Sequence, residues 1–418
     1  MAAAAASSKV TALQGLQVSW EADNMEMLGR ICAGLNGLES QIDAQGGLTA
    51  PARPMYEEML AQWRGFWGGA RPQPSCRVRG LGEGLCRAGR RLPAVDASAW
   101  NLTSQWASHM QVLAKRERDD EDCREFARFH ENGWLPPLWQ WAEHTPGLDG
   151  ALLDDLVADP EYASYLAPAA GLAPAFGSPA VETIRRPQGA FRRKRVQELV
   201  HFRVLRHAAG LDVRRLAHAA EFGGGTGETA AAMRDLGFQG SHIIIDLPPM
   251  LLLQRYWLRY SGIPAYLGEE TPALSSASLP GILLESSLTP GRADTAGHLN
   301  RHLESADPAR ALFLGLWSLT EAGLGARARA WPLLAASGFV LLAFGNEFDG
   351  VDNARYLQEE MRRWRLDETH QVLCWHLASS PGHYYLLAVR RDLGPARCLA
   401  ALNCGPHSLH PLWRAAPA

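Results

Sequence analysis

One stretch restricts this chain more than any other. Residues 216–246 open with "LAHAAEF", pass through four glycines in five positions (Gly223, Gly224, Gly225 and Gly227), continue into an alanine-rich segment closed by Gly237, and end in "SHIIID" at Asp246. An apolar run, a bare turn, a helix-forming segment and a second, β-branched run read as strand, turn, helix, strand. Two strands joined by a helical crossover lie parallel in one sheet, because the helix returns the chain to the end where it started. An α/β fold is the consequence.

The pattern continues downstream. "GIPAYLG" (262–268), "ARALFLGLW" (309–317) and "SGFVLLAFG" (337–345) are further apolar runs separated by helix-like stretches. Runs this apolar suit strands covered on both faces. "HQVLCWHLASSPGHYYLLAVRR" carries two such runs around "SSPG", a spacing that predicts an antiparallel hairpin. The fold class expected is α/β: a Rossmann-like parallel sheet finished by a C-terminal antiparallel hairpin.

The first 180 residues have a different texture. They hold Trp20, Trp63, Trp67, Trp100, Trp106, Trp134, Trp139 and Trp141 among helix-like segments, with Met59, Trp63, Phe66 and Trp67 at three- and four-residue spacing. "APAAGLAPAFGSPA" (167–180) reads as the boundary. The expected organisation is a mostly helical N-terminal region (1–180), an α/β domain (181–395) and a C-terminal tail (396–418). Whether the helical region caps a site or only packs beside the domain stays open.

Composition removes several classes of function. A net charge of -3 gives no global attraction to nucleic acid or anionic lipid. The basic segment 185–203 reads as an amphipathic helix before the first strand, with Val196, Leu199, Val200 and Val204 turned inward, rather than as a phosphate track. No apolar run approaches the length of a membrane span. The seven cysteines contain no CxxC pair, and the start lacks a basic stretch followed by an apolar one. The expected location is the cytoplasm.

The glycines fall at the carboxyl end of a strand, where open α/β sheets take their ligands. Glycine accepts positive φ and lets a ligand approach the backbone, while the following helix aims unpaired N–H groups at the turn. Four of them exceed what a tight turn alone needs. No Lys-Ser or Lys-Thr follows, which excludes a P-loop. Two registers survive. Gly225, Gly227 and Ala230 satisfy G-x-G-x-x-A, with Asp246 placed for the ribose of a dinucleotide; Glu221, Gly223, Gly225 and Gly227 satisfy E-x-G-x-G-x-G. The glycines alone do not separate them.

The following residues do. "EFGGGTGE" with "IIIDLPPMLLLQ" resembles the class I S-adenosylmethionine-dependent methyltransferases, and within them the sugar O-methyltransferase family. "LFLGLWSLTEA" (312–322) is similar to that group's fourth strand, which a Ser-x-x-Glu follows, here Ser318 to Glu321; Gly315 and Trp317 depart from its pattern. The resemblance covers residues 185–392 and implies S-adenosyl-L-methionine as cofactor. It puts Gly223, Gly225 and Gly227 against the methionine moiety, with Glu221 supporting the amino group or the turn. Asp246 would accept from the ribose hydroxyls, Leu247 would pack on the adenine, and Gly268 with Glu269 would lie at the adenine edge.

Methyl transfer from a sulfonium needs in-line placement and exclusion of water, and an alcohol acceptor also needs a base. Candidates are Glu321 after the fourth strand, Asp352 in "FGNEFDGVDN", and His298 in "HLNRH". The acidic loop also has oxygen ligands enough for a divalent metal, although a plain polar loop explains it as well, and no metal is assigned. The expected activity is O-methylation of a small polar acceptor, a sugar hydroxyl first. Rivals are transfer to nitrogen or sulfur, a catalytically silent nucleoside-binding module, and a dehydrogenase.

Overall fold

The computed structural model describes residues 102–103, 106–107, 110, 148–166, 183–186, 189–260, 263–267, 281–286, 307–376 and 382–397. Trp106, Ala107 and Met110 are helical; the elements described whole begin with α1 (Leu148–Ala158) and α2 (Pro160–Ala163), then a small hairpin of β1 (Thr183–Arg186) and β2 (Gly189–Arg192), then the long helix α3 (Arg193–Ala209). The alternating part follows as β3 (His218–Phe222), α4 (Glu228–Asp235), β4 (Ser241–Asp246), α5 (Pro248–Tyr260), β5 (Ala265–Leu267) and β6 (Ile282–Ser286). It continues through β7 (Ala311–Leu316), α6 (Ser318–Glu321), α7 (Leu324–Ala336) and β8 (Phe339–Gly345). A two-rung hairpin, β9 (Glu347–Phe348) and β10 (Val351–Asp352), precedes α8 (Asn353–Arg363) and α9 (Leu366–Thr369). The hairpin of β11 (His370–His376) and β12 (His383–Arg390) closes the sheet.

Local sequence accounts for the elements that frame the site. After α4, Gly237 takes φ 97, its N–H reaches the Arg234 carbonyl, and the Phe238 N–H reaches that of Met233. That is a Schellman stop, and only glycine adopts its geometry cheaply. Helix α5 opens on Pro248 and Pro249, whose missing N–H groups fall in a first turn that leaves such groups unpaired anyway. In α3 the expected inward face is found, with Val196, Leu199 and Val204 buried beside Phe202 and Leu205. The helix is shorter than expected at its start, however. Arg185, Arg186 and Arg192 belong to the β1–β2 hairpin, where Gly189 pairs with Arg186 at the turn.

The sheet has eight strands in the order β11-β12-β8-β7-β3-β4-β6-β5. The pairs among β5, β6, β4, β3, β7 and β8 are parallel, while β12 pairs antiparallel with both β8 and β11. This is the expected Rossmann-like sheet with its terminal hairpin. Helices α3, α4 and α5 cover one face, where Leu199, Phe202, Met233 and Leu258 meet Ala219, Leu314, Leu341 and Ile244. Helices α7 and α8 cover the other, where Trp331, Leu334, Leu357 and Met361 meet Phe313, Leu342 and Phe344.

One strand lies where the sequence reading did not put it. The run at 262–268 forms β5 at the sheet edge, and the unexpected strand β6 lies between it and β4. Ile282, Leu283 and Leu284 are buried on both faces between two parallel neighbours, which is why so short a run is wholly apolar. Gly281 enters it against Tyr266 and the Pro264 carbonyl, with no room for a side chain. Of the helical region, α1 and α2 are helical as expected; most of residues 1–180, and residues 398–418, lie outside the described residues.

Candidate functional site

Strand β3 stands at the point where the chain reverses its direction of growth. Its successor β4 lies on one side and β7 on the other, which makes the carboxyl ends of the three a topological switch point, the place where open α/β sheets take ligands. The glycine turn leaves β3 there. The Gly223 N–H donates to the Ile245 carbonyl at 2.8 Å, which sets the turn level with Asp246 at the end of β4. Gly223, Gly225 and Gly227 have φ of 73°, 56° and 83°.

The fold itself explains most of these glycines. A Cβ on Gly223 would overlap the Ser318 Cβ across the β3–β7 gap; on Gly224 it would stand 2.7 Å from Ile244 Cγ2, and on Gly227 3.0 Å from Leu258 Cγ. The excess over an ordinary turn therefore reflects close packing against β4, α5 and α6 as well as positive φ. Gly225 and Thr226 stay half-buried, leaving that part of the backbone open to a ligand.

Asp246 is half-buried, and loss of water pushes its carboxyl up to about 7, with Glu221 adding to the rise. Three donors oppose that rise: the Leu247 N–H at 2.8 Å, the Gln254 amide at 2.6 Å and the Gly224 N–H. Leu247 is half-buried beside it. Glu221 stands 3.5 Å from His242 Nε2, in a fully buried pair where desolvation lowers the histidine's pKa while Glu221 pulls the other way.

On the β7 side the backbone turns sharply. Trp317 has φ 64°, which a bulky residue adopts only under constraint. The constraint is visible: its N–H donates to the Ala343 carbonyl at 2.6 Å, and the Ser318 hydroxyl donates to the Phe222 carbonyl. The departures at Gly315 and Trp317 thus have local causes, since a Cβ on Gly315 would stand 2.9 Å from Leu342. The turn delivers Glu321, which is 9% exposed; burial pushes its carboxyl up to about 7, against a hydrogen bond from the Trp106 indole and the charge of Arg327. The Thr103 hydroxyl donates to the Glu321 carbonyl at 3.2 Å, so two residues of the N-terminal region touch this corner.

Arg327 fastens the corner from below. Fully buried on α7, it donates to the Ala322 carbonyl at 2.7 Å, to Asn353 Oδ1 at 2.8 Å and to the Thr320 carbonyl. Neither Arg327 nor Gln254 was foreseen. Each had one signal, a polar residue set in an otherwise apolar helical stripe, as in Leu247, Leu251, Gln254 and Leu258.

The other candidates fare differently. Asp352 is exposed and accepts from the Arg355 N–H at 2.9 Å, serving as the N-cap of α8. Asn346, Glu347 and Asp349 around it are exposed, and among the described residues no three His, Cys, Asp or Glu side chains gather to hold a metal. His298 and Glu269 lie outside the described residues. Gly268 lies outside the described residues too, and β6 ends beside β4, with Glu285 paired to Ile245 and Ser286 to Asp246. Glu285 is buried, and desolvation pushes its carboxyl up to about 7. No helix among the described residues is long and apolar enough to cross a membrane.

No family model matches the sequence, and no curated protein does. Solved structures with similarity include the methyltransferase domain of bacterial CtHen1, 11% identical over 46% of this chain and 99% of that one, with a TM-score of 0.30. The O-methyltransferase NcsB1 from neocarzinostatin biosynthesis, solved with S-adenosylmethionine and 2-hydroxy-5-methyl naphthoic acid, is 15% identical over 47% of this chain and 57% of its own, at 0.27. The mitomycin 7-O-methyltransferase MmcR is 13% identical over 93% of this chain and 100% of its own, at 0.26.

Proposed function

We propose that the chain is an S-adenosylmethionine-dependent methyltransferase that methylates a hydroxyl of a small polar acceptor, a sugar or a similar metabolite. One observation carries this reading. At the switch point of the sheet, a glycine turn with half-buried Gly225 leaves β3 and is tied through Gln254 to Asp246 at the end of β4, while Glu321 follows β7 on the other side of β3. The residues fit the cofactor: Gly225 and Thr226 offer bare backbone to its methionine part, and Asp246 keeps about one acceptor direction for a ribose hydroxyl. Leu247, next to Asp246, is our choice for packing on the adenine.

When bound, the cofactor supplies an activated methyl group; the chain supplies placement and a proton acceptor. Glu321 is our choice for that acceptor, because a carboxyl with its pKa near neutrality is both available and basic enough. The Trp317 turn and the three Arg327 hydrogen bonds hold it at the end of β7. Trp106 and Thr103 support the view of the N-terminal region as a cap that keeps water from this corner. Asp352 stays a weaker choice, given its exposure and its work as a helix cap.

The test is methyl transfer from labelled S-adenosylmethionine to panels of sugars, amines and thiols, with wild type and Glu321→Gln. Transfer to sugar hydroxyls that drops in the variant supports the reading. Transfer confined to amines or thiols would move the acceptor class, and an undiminished variant would remove Glu321.

A further inference from the structure

Gln254 sits on α5 with no exposed surface, yet it joins the turn after β3 to the end of β4. Its Nε2 donates to Asp246 Oδ2 at 2.6 Å and to the Gly225 carbonyl at 3.1 Å. A primary amide has two N–H donors, and both are spent. Its Oε1 is buried without a hydrogen-bond partner. Turning the amide over would aim that oxygen at two acceptors, so Asp246 and Gly225 set its orientation at the expense of the orphaned carbonyl. Gly224 is part of the same fitting, since a Cβ there would come within 3.3 Å of Gln254 Nε2.

We propose that Gln254 is a positioning residue, a strut that ties the carboxylate ending β4 to the turn leaving β3 and aims that carboxylate at a ligand hydroxyl. The inference rests on the nucleoside reading of the switch point. Leu247, Gln254 and Gly224 take three of the roughly four acceptor directions of Asp246, and the half-buried carboxylate keeps about one for a ligand hydroxyl. The strut also governs charge. Burial and Glu221 on β3, itself paired with His242 on β4, oppose ionisation of Asp246; the three N–H donors favour it, and Gln254 is one of them.

Gln254→Met keeps the length of the side chain and removes both polar ends. Two measurements are needed: calorimetric affinity for S-adenosylhomocysteine between pH 6 and 8.5, and the carboxyl NMR titration of Asp246 in ligand-free protein. The strut predicts an affinity about tenfold lower and an Asp246 midpoint about one pH unit higher. Gln254→Glu, for use if the first variant does not fold, raises the Asp246 midpoint by like-charge repulsion. Lower affinity with an unmoved Asp246 titration would mean a merely structural role and overturn the proposal, as would no change in either. Wild type that ignores S-adenosylhomocysteine sinks the nucleoside reading instead, while the ligand-free titration still decides whether the strut exists.

Discussion

Glu321→Gln is the substitution whose consequence can be worked furthest. Burial raises the Glu321 carboxyl from 4.5 to about 7, so above neutrality the folded protein carries an ionised group in a place that disfavours it. In the unfolded chain the same group ionises near its ordinary value. The sign follows: wild type holds this contribution in full below pH 4.5 and loses it as the pH rises to about 7. At about 1.4 kcal/mol per pH unit the loss is about 3 kcal/mol, with little discount for solvent because the side chain is nearly buried. Glutamine does not titrate and can still accept from the Trp106 indole. Urea unfolding of both proteins from pH 4.5 to 8.5 gives the difference directly, and Asp246 and Glu285 cancel because they titrate in both. The variant should gain about 3 kcal/mol on wild type across that range, most of it before pH 7.5. A difference that stays flat would refute the claim that Glu321 is held protonated near neutrality, and with it the choice of Glu321 as base.

Two further outcomes follow. Gly223→Ala should destabilise the domain by roughly 2–4 kcal/mol in urea unfolding, combining positive-φ strain with overlap on Ser318; an unchanged midpoint would mean the β3–β7 gap is wider than described. Asp352→Ala should cost about 1 kcal/mol as a lost N-cap of α8 and leave methyl transfer intact, whereas loss of transfer would restore Asp352 as the base.

The frame of the site could be read from the sequence because it rests on continuous local signals. "HAAEF" and "SHIIID" are short, mostly apolar runs, Gly237 supplies its own helix stop, and the proline pair after Leu247 starts α5. Strand β6 was passed over because three apolar residues between Pro-Gly and Glu-Ser fit a loop as well as a strand until two parallel partners bury them. Gln254 and Arg327 were passed over for a different reason. A buried polar side chain declares its role through partners far along the chain, such as Gly225 for Gln254 and Asn353 for Arg327, and sequence spacing does not show who those are. The glycine turn teaches the reverse lesson: its composition suggested a ligand, yet Ser318, Ile244 and Leu258 account for three of its four glycines.

The claim beneath the rest is that the switch point beside Gly225 takes an S-adenosyl nucleoside. Calorimetric titration of wild type and Gly225→Val with S-adenosylhomocysteine and with NADH tests it most directly. The account predicts heat of binding for S-adenosylhomocysteine in wild type, its loss in the folded variant, and none for NADH in either. Binding of NADH alone, or S-adenosylhomocysteine binding that survives a valine at this position, would contradict it.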